Sequence, residues 1–247
     1  MQIAIDIGNT FAKIGIFDEN KMLRFYQQLS MQEVESIVAQ YQPLYVIIAD
    51  VSGKGAALSF PDSCGVLLLS HQTPIPLQNR YQTPQTLGMD RLAAAIGVWS
   101  RFPGQASLVI DAGTCITYDF IHEENAYCGG SISPGLQMRF RALHEFTARL
   151  PLLASTDEQV ALTGTTTREA MLSGVINGMI YEIEGVISAY SAPYRAAGKP
   201  LEVVICGGDA DYFEKRIKPR IFADQMILLT GLNQILQYNL QTGGLAN

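Results

Sequence analysis

One motif occurs twice in this chain, about a hundred residues apart, and it constrains the fold more than any other feature. Residues 3–17 read "IAIDIGNTFAKIGIF" and residues 107–121 read "SLVIDAGTCITYDFI". In each, an apolar run meets an aspartate, a small residue, a glycine and a polar residue, and a second apolar run follows. Ile3, Ile5 and Ile7 alternate as a strand feeding a core, and Ile14, Ile16 and Phe17 form its return. Ile5-Asp6-Ile7-Gly8-Asn9-Thr10 aligns with Ile110-Asp111-Ala112-Gly113-Thr114, the second copy being one residue shorter. Two strand–turn–strand copies imply two related α/β halves. Gly8-Asn9 alone would serve a plain hairpin turn. A turn does not need an acid before it, a hydroxyl after it and Lys13 on the exit strand. Those additions suit a hairpin that receives a phosphate and its metal ion, and both readings stand at this point.

A nucleotide bound here would have to be held without the commoner motifs. The chain has no GxxxxGK[ST], since Gly53-Lys54 is followed by Gly55 and Gly198-Lys199 by Pro200, and no GxGxxG follows a strand. Paired DxG hairpins are the alternative: turn amides and the hydroxyls of Thr10 and Thr114 face phosphate oxygens, while Asp6 and Asp111 face cations. Lys and Arg total 17 against 23 Asp and Glu, a net charge of −6, which leaves no electrostatic footprint for nucleic acid or an anionic membrane. The opening "MQIAIDIGNT" lacks the basic region of a secretory signal, and no stretch approaches about 18 unbroken apolar residues. A cytoplasmic location with no membrane partner is expected. The four cysteines form no CxxC pair and the three histidines are far apart, which argues against a zinc site or a disulfide scaffold.

Helical spacing of Val34, Ile37, Val38 and Tyr41 predicts a helix over 31–41. "LYVIIADV" and "GVLLLS" read as buried strands, and the Pro-rich stretch 73–88 as a long functional or mobile connection. A helix follows from about Met89, and "PGQ" at 103–105 breaks the chain. Beyond the second hairpin, a Gly–Pro-rich entry leads to a helix with Leu143, Phe146 and Leu150 on one face. A long helical stretch begins with three threonines, a buried strand ends at Gly207-Gly208, and a last helix closes the sequence.

Six segments in order, "DIGNTFAK", "GMDR", "DAGT", "GGSISPGL", "TREAMLSG" and "CGGD", resemble the type III pantothenate kinases, within the actin-like, sugar-kinase-like ATPases. The fold implied is α/β: two ribonuclease-H-like (actin-like ATPase) domains, 1–105 and 106–247, with an interdomain cleft. The activity implied is ATP-dependent phosphorylation of pantothenate, the first step of coenzyme A biosynthesis. The resemblance places ATP on Asp6, Ile7, Gly8, Asn9, Thr10, Phe11, Ala12 and Lys13, with Asp6 close to the Mg²⁺ that ATP carries, and on Thr114, Gly207 and Gly208. Pantothenate would lie against Tyr81, Gly88, Met89, Asp90, Arg91 and Thr167, with Asp90 as the general base. Asp111 would help bind a monovalent cation, K⁺ or NH₄⁺. The family implies a homodimer whose pocket is partly closed by the partner. Two alternatives belong beside this reading: a different small-molecule kinase of the same superfold, and a non-catalytic regulatory member of the family.

Overall fold

The computed structural model describes residues 1–8, 11–50 and 53–244. They form two compact units, the first comprising Met1–Gly104, Ile121–Gly129 and the chain from Met226 onward, the second Gln105–Phe120 and Gly130–Gln225.

The first unit is built on a sheet whose opening strands are β1 (Gln2–Ile7), β2 (Ala12–Asp18) and β3 (Lys21–Leu29). After α1 (Met31–Tyr41), the strands β4 (Tyr45–Asp50) and β5 (Gly65–Leu68) complete it in the order β3-β2-β1-β4-β5. β1 runs antiparallel to β2 and parallel to β4. Ile3 pairs with Ile16 and Ile5 with Ile14, so one face of the hairpin is wholly apolar, and Val34 and Val38 of α1 close over it. The start of α1 is held by a capping box, Ser30 Oγ accepting from Glu33 N–H while the Glu33 carboxylate accepts from Ser30 N–H. On the opposite face Ala4 pairs with Gly15, where a Cβ would stand 2.6 Å from the Phe17 ring and 3.4 Å from Leu229 Cβ. The short β6 (Gln78–Asn79) and a 3₁₀ turn at Pro84–Thr86 lead into α2 (Met89–Arg101).

In the second unit, β7 (Ser107–Ala112), β8 (Cys115–His122) and β9 (Ala126–Pro134) are followed by α3 (Leu136–Glu145). α4 (Thr167–Leu172), a π-turn (Ser173–Asn177) and α5 (Gly178–Ala196) then form one continuous helical stretch. β10 (Glu202–Cys206), α6 (Ala210–Glu214) and β11 (Phe222–Ala223) complete the unit, with strand order β11-β10-β7-β8-β9. The π-turn is tied to the preceding loop: Ser173 Oγ donates to the Leu162 carbonyl at 2.6 Å and Asn177 Nδ2 to that of Ala161 at 3.3 Å. The stretch Thr167–Ala196 is long and apolar enough to cross a membrane, but 44% of its most apolar window is buried in the protein. There Met179, Ile183 and Ile187 pack with Ile110, Ile116 and Phe140, each such side chain contributing about 2 kcal/mol by leaving water.

The last helix, α7 (Ile227–Thr242), packs on α2 in the first unit. This corrects the expectation that everything after residue 105 forms the second domain. The contact is intimate because Gly97 and Gly231 lie at it: a Cβ on Gly231 would stand 1.7 Å from the Ala93 carbonyl oxygen. The tip of the β8–β9 hairpin also belongs to the first unit, where Gln78 and Asn79 pair with Ala126 and Tyr127. α3 stops at Glu145, so the expected face of Leu143, Phe146 and Leu150 is not all helical, and Phe146 is 85% exposed.

Candidate active site

The first hairpin presents Asp6 and Lys13 directly opposite each other on one face of the ladder, with Ile7 opposite Ala12. The turn closes through a bond from Gly8 N–H to the Phe11 carbonyl, 3.2 Å, and Phe11 projects into solvent. Asn9 and Thr10, both expected to meet ATP, lie outside the described residues. Asp6 reaches the C-terminal end of β1 beside the C-terminal end of β4, where Ile7 is paired with Asp50. The carboxylate of Asp50 accepts from Gly53 N–H at 2.9 Å and Gly55 N–H at 2.7 Å, and so shapes the loop bordering the hairpin. Parallel strands of α/β sheets characteristically present ligands with this edge.

A second group gathers at the start of α2. Gly88 is the N-cap, Met89 the first helical residue, and Asp90 lies in the first turn. One oxygen of Asp90 accepts from the Arg91 backbone N–H at 2.8 Å, which aims the carboxylate back along the helix. A Cβ on Gly88 would stand 2.5 Å from that same oxygen, so the glycine leaves the carboxylate its place. Arg91 is only 8% exposed, and its guanidinium lies 6.0 Å from the centre of the Tyr81 ring. Tyr81 is held in turn by its amide on Asn79 Oδ1, by Tyr127 at 6.2 Å between ring centres, and by Gly129, where a Cβ would touch the ring. Tyr81, Gly88, Asp90 and Arg91 are thus brought together.

The third group lies in the second unit. Gly113 N–H closes the turn on the Cys115 carbonyl at 2.9 Å. Gly207 has φ +93, and a Cβ there would stand 2.3 Å from Asp111 Oδ1 and 2.4 Å from the Ala112 carbonyl oxygen. Only glycine tolerates both that conformation and that approach. At Gly208, by contrast, a Cβ would meet no atom within 4 Å, and the residue faces open space. Asp209 N–H donates to the Ala112 carbonyl at 2.9 Å, and burial raises the pKa of its carboxyl.

Residues 2–189 match the family model for type III pantothenate kinase. The chain belongs to that family. It is 40% identical over 246 residues to the type III pantothenate kinase of Flavobacterium johnsoniae, covering 97% of this chain and 99% of that one. It is 41% identical to that of Cytophaga hutchinsonii, covering 97% and 100%. Among solved structures, one described as a Baf family transcriptional activator from Campylobacter jejuni superposes with a TM-score of 0.64 at 20% identity, covering 97% of this chain and 99% of that one. One described as a 2-dehydro-3-deoxygalactonokinase protein from Sinorhizobium meliloti gives 0.57 at 15%, covering 96% and 99%. These two likenesses concern the fold, which is that of the actin-like, sugar-kinase-like ATPases.

Within this type III pantothenate kinase the three threonines 165–167 have separate tasks. Thr166 caps α4, accepting from Glu169 N–H, and Thr165 donates its amide and hydroxyl to the Glu169 carboxylate. Thr167 stands beyond that capping box, on an apolar groove of about 860 Å³ lined with Leu143, Phe146, Leu150, Ala170 and Met171. Sequence reasoning missed Asp50, Gly135 and Asp209. Asp209 lies inside the "CGGD" segment and Gly135, whose N–H donates to the Thr114 carbonyl, inside "GGSISPGL"; both contacts join distant parts of the chain and leave no local pattern. For Asp50 the signal is its position at the end of an apolar run, shared with Asp6 and Asp111.

Proposed function

We propose that this kinase transfers the γ-phosphoryl group of ATP to the primary hydroxyl of pantothenate, with Asp90 as general base. The reaction itself is that of the family, the first step of coenzyme A biosynthesis. The observation that supports the role of Asp90 is its setting: a carboxylate with one oxygen held by the Arg91 amide, next to a buried Arg91 whose guanidinium lies 6.0 Å from the centre of the Tyr81 ring. In the reaction the bond from the γ-phosphorus to the β–γ bridging oxygen breaks and ADP leaves. The hydroxyl oxygen bonds to phosphorus, and its proton passes to Asp90. In a loose transition state that proton leaves late, so the aim of the carboxylate matters more than its basicity.

Gly88, Met89, Arg91, Tyr81 and Thr167 line the pantothenate pocket in this reading. The first hairpin, residues 6–13, holds the phosphates, and Thr114, Gly207 and Gly208 meet the nucleotide on the second unit. No group of three or more His, Cys, Asp or Glu suited to a metal occurs among the described residues. Mg²⁺ would come as a companion of the ATP phosphates near Asp6, where it would neutralise charge on the transferring group. The Asp111 carboxylate, with Gly207 leaving space against it and the Ala112 carbonyl oxygen beside that space, fits a monovalent cation such as K⁺ or NH₄⁺. The exposed apolar groove beside Thr167 supports a homodimer. A cytoplasmic location suits a reaction that consumes ATP.

The test is ADP release from MgATP and pantothenate, in K⁺ and in Na⁺, for the wild type and Asp90→Asn. We expect K⁺-dependent turnover that falls about 10²–10⁴-fold in the variant. Turnover surviving nearly intact would remove Asp90 from the role of base. No turnover by folded wild type would favour the regulatory reading.

A further inference from the structure

One carboxylate outside the three groups ends two arms that both lead to the Asp111–Thr114 turn. Glu182, on α5, accepts from Tyr118 Oη at 3.0 Å through Oε1 and from Arg139 Nη2 at 2.5 Å through Oε2. The first arm is β8 itself. Tyr118 lies four residues beyond Thr114 on that strand, its ring is fully buried, and burial together with the Glu182 charge pushes its phenol pKa up. The tyrosine therefore stays a donor.

The second arm runs through Arg139. Its guanidinium folds back along α3 and donates through Nε to the Pro134 carbonyl at 2.8 Å and through Nη2 to Ser133 Oγ at 3.0 Å. The next residue, Gly135, rests on the turn: its N–H donates to the Thr114 carbonyl at 3.2 Å. A Cβ there would stand 2.2 Å from the Gly113 oxygen and 2.4 Å from that of Thr114. Nothing but hydrogen separates this backbone from the turn, so a shift of Ser133 or Pro134 is passed directly to Gly113 and Thr114. Arg139 and Glu182 are 20% and 27% exposed, which makes their bonds stronger than those of a solvated surface pair. An arginine has the planar fork this task needs; a lysine offers one ammonium and cannot serve carbonyl, hydroxyl and carboxylate in the same geometry.

We infer that Glu182 and Arg139 are positioning residues that fix the Asp111–Thr114 turn for its nucleotide and cation. This rests on the reading that the turn receives ATP and the monovalent cation. The pantothenate side of the reaction depends mainly on α2 and the residues before it, in the other unit; of its residues only Thr167, on the groove that Pro134 and Arg139 also line, lies near the second arm, and Glu182 does not line that groove.

The test compares Glu182→Gln, Arg139→Lys and Tyr118→Phe with Asp111→Asn and the wild type, all as full chains. Steady-state kinetics give KM for ATP, KM for pantothenate and the K⁺ concentration for half-activation; titration calorimetry gives MgATP affinity; sedimentation gives native mass. We expect Glu182→Gln and Arg139→Lys to raise KM for ATP and the K⁺ requirement about tenfold. For Glu182→Gln, KM for pantothenate should stay within about twofold at unchanged mass, whereas Arg139→Lys, beside the Thr167 groove, is judged on ATP and K⁺ alone. Tyr118→Phe, which removes one arm and no charge, should show a smaller shift in the same direction. Equal losses for both substrates in Glu182→Gln, or none, would overturn the inference, as would an ATP effect that appears only when the mass changes. If Asp111→Asn leaves ATP affinity and K⁺ dependence untouched, the reading of the turn fails, and the inference with it. If Asp111→Asn acts and Glu182→Gln does not, the inference fails alone.

Discussion

At the scale of single residues, two substitutions separate the chemistry of this protein from its stability. Gly88 has φ −60, which any residue adopts, so Gly88→Ala carries no backbone strain. Its new methyl would nevertheless displace the Asp90 carboxylate, 2.5 Å away. We expect kcat to fall about tenfold or more with the melting temperature nearly unchanged, measured by ADP release and thermal denaturation. Asp209 shows the converse. Burial raises its pKa above the ordinary 3.8, so the folded state binds more protons than the unfolded one between that value and the raised one. Stability contributed by this group is therefore lost as pH rises through the window. Asp209→Asn should melt no lower than the wild type at neutral pH, and the advantage should shrink as the pH falls to about 4. A variant that melts markedly lower at neutral pH would show that the ionised carboxylate is needed for folding.

Among elements, the α2–α7 crossing carries Asp90 and Arg91 on one of its two helices. Gly231→Ala would normally strengthen a helix by about 1 kcal/mol. Here the added methyl would meet the Ala93 carbonyl at 1.7 Å and the Gly97 nitrogen at 2.8 Å, forcing the helices apart. We expect a net loss of about 1–3 kcal/mol, read from denaturant unfolding, with the pantothenate KM rising as α2 shifts. The same elements show what a sequence discloses. Both hairpins, α1, α2 and the strand before Gly207 are legible because their apolar residues keep one period and their turns carry glycine. β3 is not, because "KMLRFYQQL" lies at the edge of the sheet and follows no alternation of buried and exposed positions. β9 hides for another reason: its Gly129-Gly130 pair reads as a loop, yet close packing against Tyr81 and the Tyr118 carbonyl requires those glycines. Likewise Tyr81, Gly88, Asp90 and Arg91 can be named from "GMDR" and its surroundings, whereas the Glu182–Arg139–Tyr118 arrangement joins residues up to 64 positions apart and leaves no local signature.

For the molecule as a whole, the groove beside Thr167 makes assembly testable. Sedimentation should give a dimer, and Phe146→Asp, at a position 85% exposed and so harmless to the fold, should shift it towards the monomer while raising the pantothenate KM. An unchanged mass would move the interface elsewhere. The division of the chain has a further consequence, for its synthesis. The sheet that starts with the first residues is not covered by α7 until residues 227–242 exist, because Leu229, Leu232 and Leu236 supply part of its core. Residues 105–225 are complete earlier, and emerge from the ribosome at about 5–20 residues per second. The half translated first is thus the half finished last, and its nascent apolar strands must wait about 10–45 s for their cover, a stretch of time in which a chaperone has something to hold.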